Sequence, residues 1–318
     1  MKLAMLMSFM FFLISCSSLA TNSKELSKSK QTEEFITLVS HAKTYDLSHN
    51  WDENSPIASV NPKYSMALNA THADTRGTFG DNNQLSFTSE IMQWSGHHGG
   101  PTIDALGHIG RDGLLYGGVD AAQATNDRRG IGRSGVGSDL GIDHYPVNLL
   151  SNRTVLLDVA RFINGDDTPL AADFDITASH LKRTAKSQGV KIKKGDTVFI
   201  RTGWGQYFAN NPQQYIAEHA AGVGVSGAQF LIKAGASVVG NDTLTFEKRP
   251  PIATEPSFQV FPVHMMLLAD NGIYIIENLF LEELAKEKVY EFIAIVPPLK
   301  IRGGTGSALR VFALTSNL

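Results

Sequence analysis

Apolar and polar positions follow two different periods along the second half of the chain, and each period predicts one kind of element. Short apolar runs bounded by glycines or polar residues predict buried strands, and apolar residues at helical spacing predict helices. The predicted strands are Thr154–Val159, Asp196–Thr202, Ala236–Gly240, Ile273–Glu277, Phe292–Val296 and Ala308–Leu314. The predicted helices are Thr177–Ser187, Ser226–Ala234, Val263–Asn271 and Leu281–Lys288.

The helix ends carry residue types that favour starting and stopping a helix. Thr177 and Ser226 are expected N-caps, because a hydroxyl oxygen can accept a backbone N–H of the first turn. Gly235 and Gly272 are expected to end their helices. Strands that alternate with helices predict an α/β fold with both faces of the sheet largely covered.

The first half of the chain has a different pattern. Residues 50–150 are rich in Gly, Asn, Asp and His and contain few long apolar runs, so loops and short strands are expected there. No change in composition divides residues 35–318, and we therefore predict one domain over that range.

The N-terminus has the pattern of a targeting segment. Lys2 precedes the run Leu3–Ile14, which is apolar except for Ser8 and has the length of a signal-peptide core, too short to span a bilayer. The run ends in Leu13-Ile14-Ser15-Cys16, which resembles the bacterial lipobox. The alternative is an ordinary signal peptide with a cysteine at this position by chance.

These features predict a lipoprotein. Residues 1–15 are the predicted lipoprotein signal peptide, Cys16 the lipidated first residue of the mature chain, and residues 16–34 a polar tether. The expected location is the cell envelope, with the lipid anchor in the outer membrane or at the periplasmic face. The membrane is therefore one expected partner.

Composition narrows the classes of function that remain. Of the 318 residues, 42% are hydrophobic and 19% charged, which is typical of a globular protein. The net charge is −3 and Lys and Arg form no dense block, so no nucleic-acid partner is expected. Cys16 is the only cysteine, which excludes an internal disulfide and a cysteine-based zinc site.

The densest cluster of residues able to bind a metal lies between His97 and His108. His98, Asp104 and His108 are the candidates, and the glycines between them allow one short segment to present several ligands. Imidazole and carboxylate together suit Zn²⁺, Mn²⁺ or Fe²⁺ and would make a poor Ca²⁺ site. The alternative is a turn-rich loop with surface histidines.

A second candidate pair is His264 and Glu277. The stretch between them is largely apolar and should be buried, and an unpaired buried carboxylate is costly. A metal would give Glu277 a partner. The alternatives are a carboxylate paired with an arginine and one exposed to water at the end of the strand. For His264 alone, a hydrogen-bonded core histidine is the simpler interpretation.

The motifs resemble those of the cyclase family, which includes kynurenine formamidase and isatin hydrolase. The segment His98–His108 resembles the family signature His-x-Gly-Thr-His-x-Asp-x-Pro-x-His. The two have the same length, and they share the first His (His98), the Gly (Gly100), the Asp (Asp104) and the last His (His108). Further similar segments follow in family order: Tyr45–His49, Gly195–Trp204, His264 with Ile276–Leu279, and Pro297–Ser307.

This resemblance implies a swivelling β/β/α domain and a divalent metal, with Zn²⁺ or Mn²⁺ favoured. Its positions imply His98, Asp104, His264 and Glu277 as metal ligands and His108 as general acid/base. The chain departs from the family at Pro101-Thr102, where the family has Thr-His, so one imidazole ligand is missing and the number of metal ions stays open.

The implied activity is hydrolysis of an aryl formamide, such as N-formylkynurenine in tryptophan catabolism, or of a cyclic amide such as isatin. The alternative is a non-catalytic metal- or ligand-binding surface lipoprotein on the same fold, which the missing imidazole at Thr102 favours. The resemblance also suggests a homodimer. Trp94 and Trp204 are candidates for an aromatic pocket, with core packing as the alternative.

Overall fold

The structure is a computed structural model that describes residues 28–80, 84–97, 99–126 and 135–316. The predicted signal peptide, Cys16 and His98 lie outside the described residues. In the parts of the chain that are described, no helix has the length and apolar character needed to cross a bilayer.

Seventeen strands are present in the described residues, many of them short. They are β1 Lys43–Asp46, β2 Ser65–Ala70, β3 Ser89–Gln93, β4 Thr102–Asp104, β5 Leu114–Leu115, β6 Val119–Asp120, β7 Ser151–Asp158, β8 Asp175–Ile176, β9 Thr197–Arg201, β10 Gly222–Val223, β11 Val238–Asn241, β12 Ile252–Ala253, β13 Gln259–Val260, β14 Tyr274–Glu277, β15 Glu291–Ile295, β16 Gly306–Ala308 and β17 Phe312–Thr315.

The α-helices are α1 over residues 28–40, α2 His72–Thr75, α3 Ala121–Thr125, α4 Val159–Asn164, α5 Ala178–Gln188, α6 Tyr207–Asn210, α7 Pro212–Tyr215, α8 Val225–Ala234, α9 Pro262–His264 and α10 Glu282–Lys286. Short 3₁₀ turns cover Tyr116–Gly118, Ile142–His144, Val147–Leu149 and Trp204–Gln206. A π-helical turn, Met265–Ala269, follows α9 directly.

Nine strands form the main sheet, in the order β1-β17-β15-β7-β9-β11-β14-β4-β16. The central strands β7, β9, β11 and β14 are parallel, and β4 and β16 continue the sheet in antiparallel pairs. Every residue of β9, β11 and β14 is buried, and so are the last five residues of β7, as expected for parallel strands covered on both faces. This arrangement confirms the predicted α/β class and the family fold.

The core lies within the compact unit Tyr45–Ala313; the described residues on either side belong to a second unit. Apolar residues of β7, β9, β11 and β14 form this core with Leu181 of α5 and Leu231 of α8. Only three residues separate β16 from β17, although the two strands stand near opposite ends of the strand order. Because this link spans at most roughly 14 Å, the sheet must curl.

Most of the predicted elements of the second half are present, with shifted ends. Thr177 caps α5 as predicted: its hydroxyl accepts the backbone N–H of His180. The prediction of Ser226 as a cap is wrong, because α8 begins one residue earlier and Gly224 is its N-cap. Helix α1 has no counterpart among the predicted elements, and it spans residue 35, the predicted start of the domain.

The predicted final strand Ala308–Leu314 is two strands, β16 and β17. The backbone N–H of Leu309 donates to the backbone oxygen of Pro101, whereas the backbone oxygen of Val311 accepts the N–H of Leu47. The chain therefore changes hydrogen-bonding partner between these residues and leaves one part of the sheet for another. An apolar run cannot reveal such a change, because both parts are equally buried.

Candidate metal centre

Strand β4 carries Asp104 into the interior between β14 and β16. The register places Asp104 opposite Ile275 on one side and Gly306 on the other, and Thr102 opposite Glu277. All three residues of β4 are buried, and Asp104 is 2% exposed. Two carboxylates that are distant in sequence thus reach the same part of the sheet through strand pairing.

His264 joins these carboxylates from the end of α9. Its Nε2 lies 3.2 Å from Glu277 Oε1 and 3.8 Å from Asp104 Oδ2. One ligand atom from each of Asp104, His264 and Glu277 lies within 4.8 Å of the others. The structure therefore brings together three of the four predicted ligands; the fourth, His98, lies outside the described residues.

Local backbone features position His264 at this point. Phe261, just before α9, has a left-handed conformation with φ 54°, which is uncommon for a bulky residue. The π-helical turn Met265–Ala269 begins immediately after His264, and π turns in proteins are frequent at functional sites. The predicted helix Val263–Asn271 is therefore present, but a π-helical turn interrupts its α-helical part.

His97 and His108 lie on the other side of Asp104. The rings of the two histidines stack with centroids 3.8 Å apart, and His97 Nδ1 lies 3.3 Å from Asp104 Oδ1. The three side chains form a second group whose ligand atoms lie within 4.8 Å of one another. Asp104 thus belongs to both groups and connects His264 and Glu277 with the predicted acid/base His108.

Sequence reasoning gave His97 no role, because it is off register in the motif. Its Nε2 is 2.6 Å from the hydroxyl of Thr305, which together with Asp104 holds the ring in place. Gly306 makes room for it, since a Cβ at that position would lie 2.5 Å from His97 Nδ1. Only the pairing of β16 with β4 reveals this relation.

Glu247 is a second residue that sequence reasoning missed. It is 2% exposed, and its Oε1 accepts a hydrogen bond from Nδ1 of His264 at 2.5 Å. The acidic residue lies in a segment of ordinary composition between β11 and β12, so no sequence signal marks it.

The pKa values of the two carboxyl groups shift in opposite directions, because burial dominates at Glu277 and the neighbouring histidines dominate at Asp104. Burial raises the pKa of Glu277 to about 8, and the charge of Asp104 acts in the same direction. Burial alone would raise the pKa of Asp104 too, but the charge of His108 and a hydrogen bond from His97 outweigh it and lower the pKa. Burial disfavours the charged form of His264, yet hydrogen bonds to Glu247 and Glu277 raise its pKa well above the usual value.

This donor set fits a divalent cation. Asp104 and Glu277 repel each other as anions in a buried site, and a cation between them would offset the cost of ionising both. One imidazole with two carboxylates suits Zn²⁺ or Mn²⁺. The residues present therefore fit the metal that the sequence predicts.

Thr102 does not take the place of the missing imidazole. Its side chain is fully buried, and its hydroxyl donates a hydrogen bond to the backbone oxygen of His97 at 3.1 Å. The hydroxyl thus ties the start of β4 to the turn that carries His97. This hydrogen bond to the backbone gives Thr102 a structural role.

An open cavity of about 600 Å³ adjoins the centre and is bounded by His97, Trp94 and the segment Gly303–Gly306. Trp94, one of the two candidates for an aromatic pocket, therefore borders a cavity. Trp204 does not: it is 1% exposed and its Nε1–H donates to the backbone oxygen of Leu170. The alternative of core packing holds for Trp204.

Comparison with known families and structures agrees with this description. Residues 45–248 match a family model described as "Putative cyclase". Comparison with curated proteins gives no match.

Solved structures with the same fold cover most of the chain. A protein described as a novel cyclase shares 27% identity, with a TM-score of 0.74, over 88% of this chain and 91% of its own. Isatin hydrolase A from Labrenzia aggregata, bound to benzyl benzoate, is 19% identical, with a TM-score of 0.67 over 90% of this chain and all of its own. A "predicted metal-dependent hydrolase" from Bacillus stearothermophilus is 20% identical, with a TM-score of 0.54 over 86% and 98% of the two chains.

Proposed function

The chain belongs to the cyclase family, and from this premise we propose that it is a metal-dependent hydrolase that cleaves a non-peptide C–N bond. The observation that carries the proposal is the convergence of Asp104, His264 and Glu277 beside the stacked pair His97 and His108. Two carboxylates and an imidazole buried together offer ligands, and a second imidazole beside them offers proton transfer.

Asp104, His264 and Glu277 would hold the metal, with His98 as the fourth ligand that the family motif implies. A divalent metal bound there supplies Lewis acidity, which polarises a carbonyl and makes a water molecule more acidic. A catalytic zinc site with three protein ligands keeps a fourth position for water or substrate.

His108 serves as the general acid/base in this proposal. Its imidazole takes a proton from the attacking water as the C–O bond forms, and gives a proton to the leaving nitrogen as the C–N bond breaks. An imidazole suits both steps, because its ordinary pKa lies near neutrality. The stacked ring of His97, fixed by Asp104 and Thr305, limits the orientations open to the His108 ring.

We propose an aryl formamide or a cyclic amide as the substrate. Structures of the same fold include isatin hydrolases, one of them bound to the product analogue thioisatinate. The cavity beside His97 is bounded by the indole of Trp94 and by the backbone of Gly303–Gly306, surfaces that suit a flat aromatic ring.

Metal analysis combined with an amidase assay tests the proposal. The purified full-length protein should contain about one Zn²⁺ or Mn²⁺ per site, and it should hydrolyse isatin or N-formylkynurenine. A chelator should abolish the activity, and added metal should restore it. Asp104→Ala should lose metal and activity together; an active, metal-free protein would contradict the proposal.

The second candidate function is that of a non-catalytic metal- or ligand-binding surface protein. The observation that favours it is Thr102, whose hydroxyl is engaged with the backbone of His97 and leaves the family's imidazole position without a ligand. Retained metal with no hydrolysis of either substrate would support this candidate.

We also propose that lipidated Cys16 anchors the protein to a membrane of the cell envelope. The support is the lipobox-like sequence Leu13-Ile14-Ser15-Cys16 and the absence of any other cysteine. A homodimer is a further proposal that rests on family resemblance alone, and sedimentation of the purified protein would test it.

A further inference from the structure

Glu247 lies behind His264, on the side away from the other candidate ligands. Nδ1 of His264 is 2.5 Å from Glu247 Oε1, whereas Nε2 faces Glu277 at 3.2 Å and Asp104 at 3.8 Å. The two ring nitrogens thus have separate partners. One faces the carboxylate of Glu247 and the other faces the centre of the ligand group.

The same carboxylate also fixes the backbone that carries His264. Glu247 accepts the backbone N–H of His264 at 3.1 Å and that of Val263 at 3.3 Å. These N–H groups belong to the first turn of α9, where no carbonyl of the helix can accept them. A single side chain therefore sets both the position of α9 and the orientation of the imidazole.

Glu247 is itself held in place by neighbouring backbone. The N–H of Val223 donates to Phe246 and the N–H of Lys248 donates to Val223, so the residues on both sides of Glu247 bind β10. A Cβ at Gly222 would lie 2.4 Å from the backbone of residues 247 and 248, so only glycine permits this approach. The carboxylate is therefore presented from a fixed segment.

We infer that Glu247 is a positioning residue, which holds His264 with its proton on Nδ1 and its Nε2 lone pair directed at the metal. The inference rests on the proposed function, because it requires His264 to be a ligand. A neutral imidazole binds a metal through one nitrogen, and a carboxylate that accepts the proton of the other nitrogen fixes the tautomer and strengthens the ligand.

Direct measurement of Zn²⁺ affinity tests the inference without an assay of activity. Removing a partner of a metal-ligating histidine typically lowers metal affinity by about 10–100-fold, and Glu247→Ala in the full-length protein should show a loss of that size. Glu247→Gln is the second variant. Its oxygen can still accept a hydrogen bond, but it carries no charge and its NH₂ faces backbone donors, so a smaller loss is expected.

The control is Glu282→Gln, which makes the same change at a glutamate that is partly buried and also accepts hydrogen bonds. Glu282 accepts hydrogen bonds from the buried Arg201 and contacts none of the candidate ligands in the described structure. Its Zn²⁺ affinity should equal that of the parent protein. Circular dichroism of each variant checks that the fold is retained.

A spectroscopic readout separates positioning from general stability. In the Zn²⁺-loaded parent protein, ¹H–¹⁵N spectra of histidine-labelled protein should show His264 with a protonated Nδ1. Glu247→Gln should weaken or shift that signal. A signal unchanged in Glu247→Gln, together with parent affinity, would overturn the inference.

The ligand variants distinguish failure of the inference from failure of the proposed function. If His264→Ala and Asp104→Ala lose Zn²⁺ while Glu247→Gln and a folded Glu247→Ala retain it fully, the metal centre stands and the role of Glu247 is refuted. If His264→Ala and Asp104→Ala also bind Zn²⁺ like the parent, the metal centre itself is refuted.

Discussion

At the scale of single residues, the proposed roles of His108 and His98 differ in what their removal should do. His108 should transfer protons, and loss of a general acid/base typically lowers the rate by about 10²–10⁴-fold. We expect His108→Ala to lower turnover by this amount while metal content stays near the parent value. His98→Ala should lose metal and activity together.

Metal analysis and steady-state kinetics of the two variants check this prediction. His108 shares a possible ligand group with His97 and Asp104, and loss of metal in His108→Ala would make it a ligand in place of the imidazole absent at Thr102. Full activity in His108→Ala would refute its acid/base role.

The burial of His49 leads us to expect that the folded protein loses stability towards unfolding in acid. Burial lowers its pKa to about 4, against a smaller opposing effect of a hydrogen bond with the backbone of Leu279, and its ring stacks on Phe208 at 4.0 Å. The unfolded chain takes up a proton below the usual histidine pKa of about 6.5, whereas the folded protein does so only near pH 4. His49 therefore contributes its full stabilisation above pH 6.5, and this contribution to the free energy of unfolding is lost as the pH falls from 6.5 towards 4.

The expected contribution is about 2 kcal/mol lost between pH 6.5 and pH 5, since each unit of pKa difference corresponds to about 1.4 kcal/mol. Urea unfolding of the parent and of His49→Phe over this range measures it. The variant should lose less stability on acidification, and the two curves should run parallel well above pH 6.5. Equal acid dependence in both proteins would contradict the prediction.

At the scale of elements, the pairing of β16 with β4 places Gly306 against His97. A Cβ at Gly306 would lie 2.5 Å from His97 Nδ1 and 2.7 Å from the backbone oxygen of Gly96. Gly306→Ala should displace the ring of His97 from Asp104 and destabilise the fold by about 1–3 kcal/mol, as overpacking typically does.

A double-mutant cycle measures this contact. The cost of Gly306→Ala to the free energy of unfolding should be smaller in a His97→Ala background, because the ring that it displaces is then absent. Strictly additive effects of the two substitutions would show that the added methyl group does not contact His97.

At the scale of the whole molecule, the proposed lipid anchor at Cys16 would hold the domain at a membrane. Cys16→Ser removes the thiol that lipidation requires, so the protein should move from the membrane fraction to the soluble fraction. Each buried acyl CH₂ contributes about 0.8 kcal/mol to membrane binding. Fractionation and mass spectrometry of the mature N-terminus measure the outcome. An unmodified Cys16 within a full-length mature chain would contradict the prediction.

The sequence by itself determined the longer helices and most strands of the main sheet in the second half, and the residue types of the centre. The segment Asp196–Thr202 predicts a buried strand, because a short apolar run between turn residues is typical of a strand buried on both faces, and β9 lies within it. The spacing from Asp104 to His108, and the pair His264 and Glu277, matched a family motif. The first feature is a spacing within one short segment, and the second is the order of motifs along the chain. Both can be read directly from a sequence.

Only the tertiary structure decided which side chains meet. Glu247 reaches His264 because two separate segments pack together, and His97 meets Thr305 because β16 pairs with β4. The final apolar run becomes two strands because its backbone groups find partners in different parts of the curled sheet. Register and long-range packing set these contacts, and a local pattern of apolar and polar residues is the same whichever distant partner is chosen.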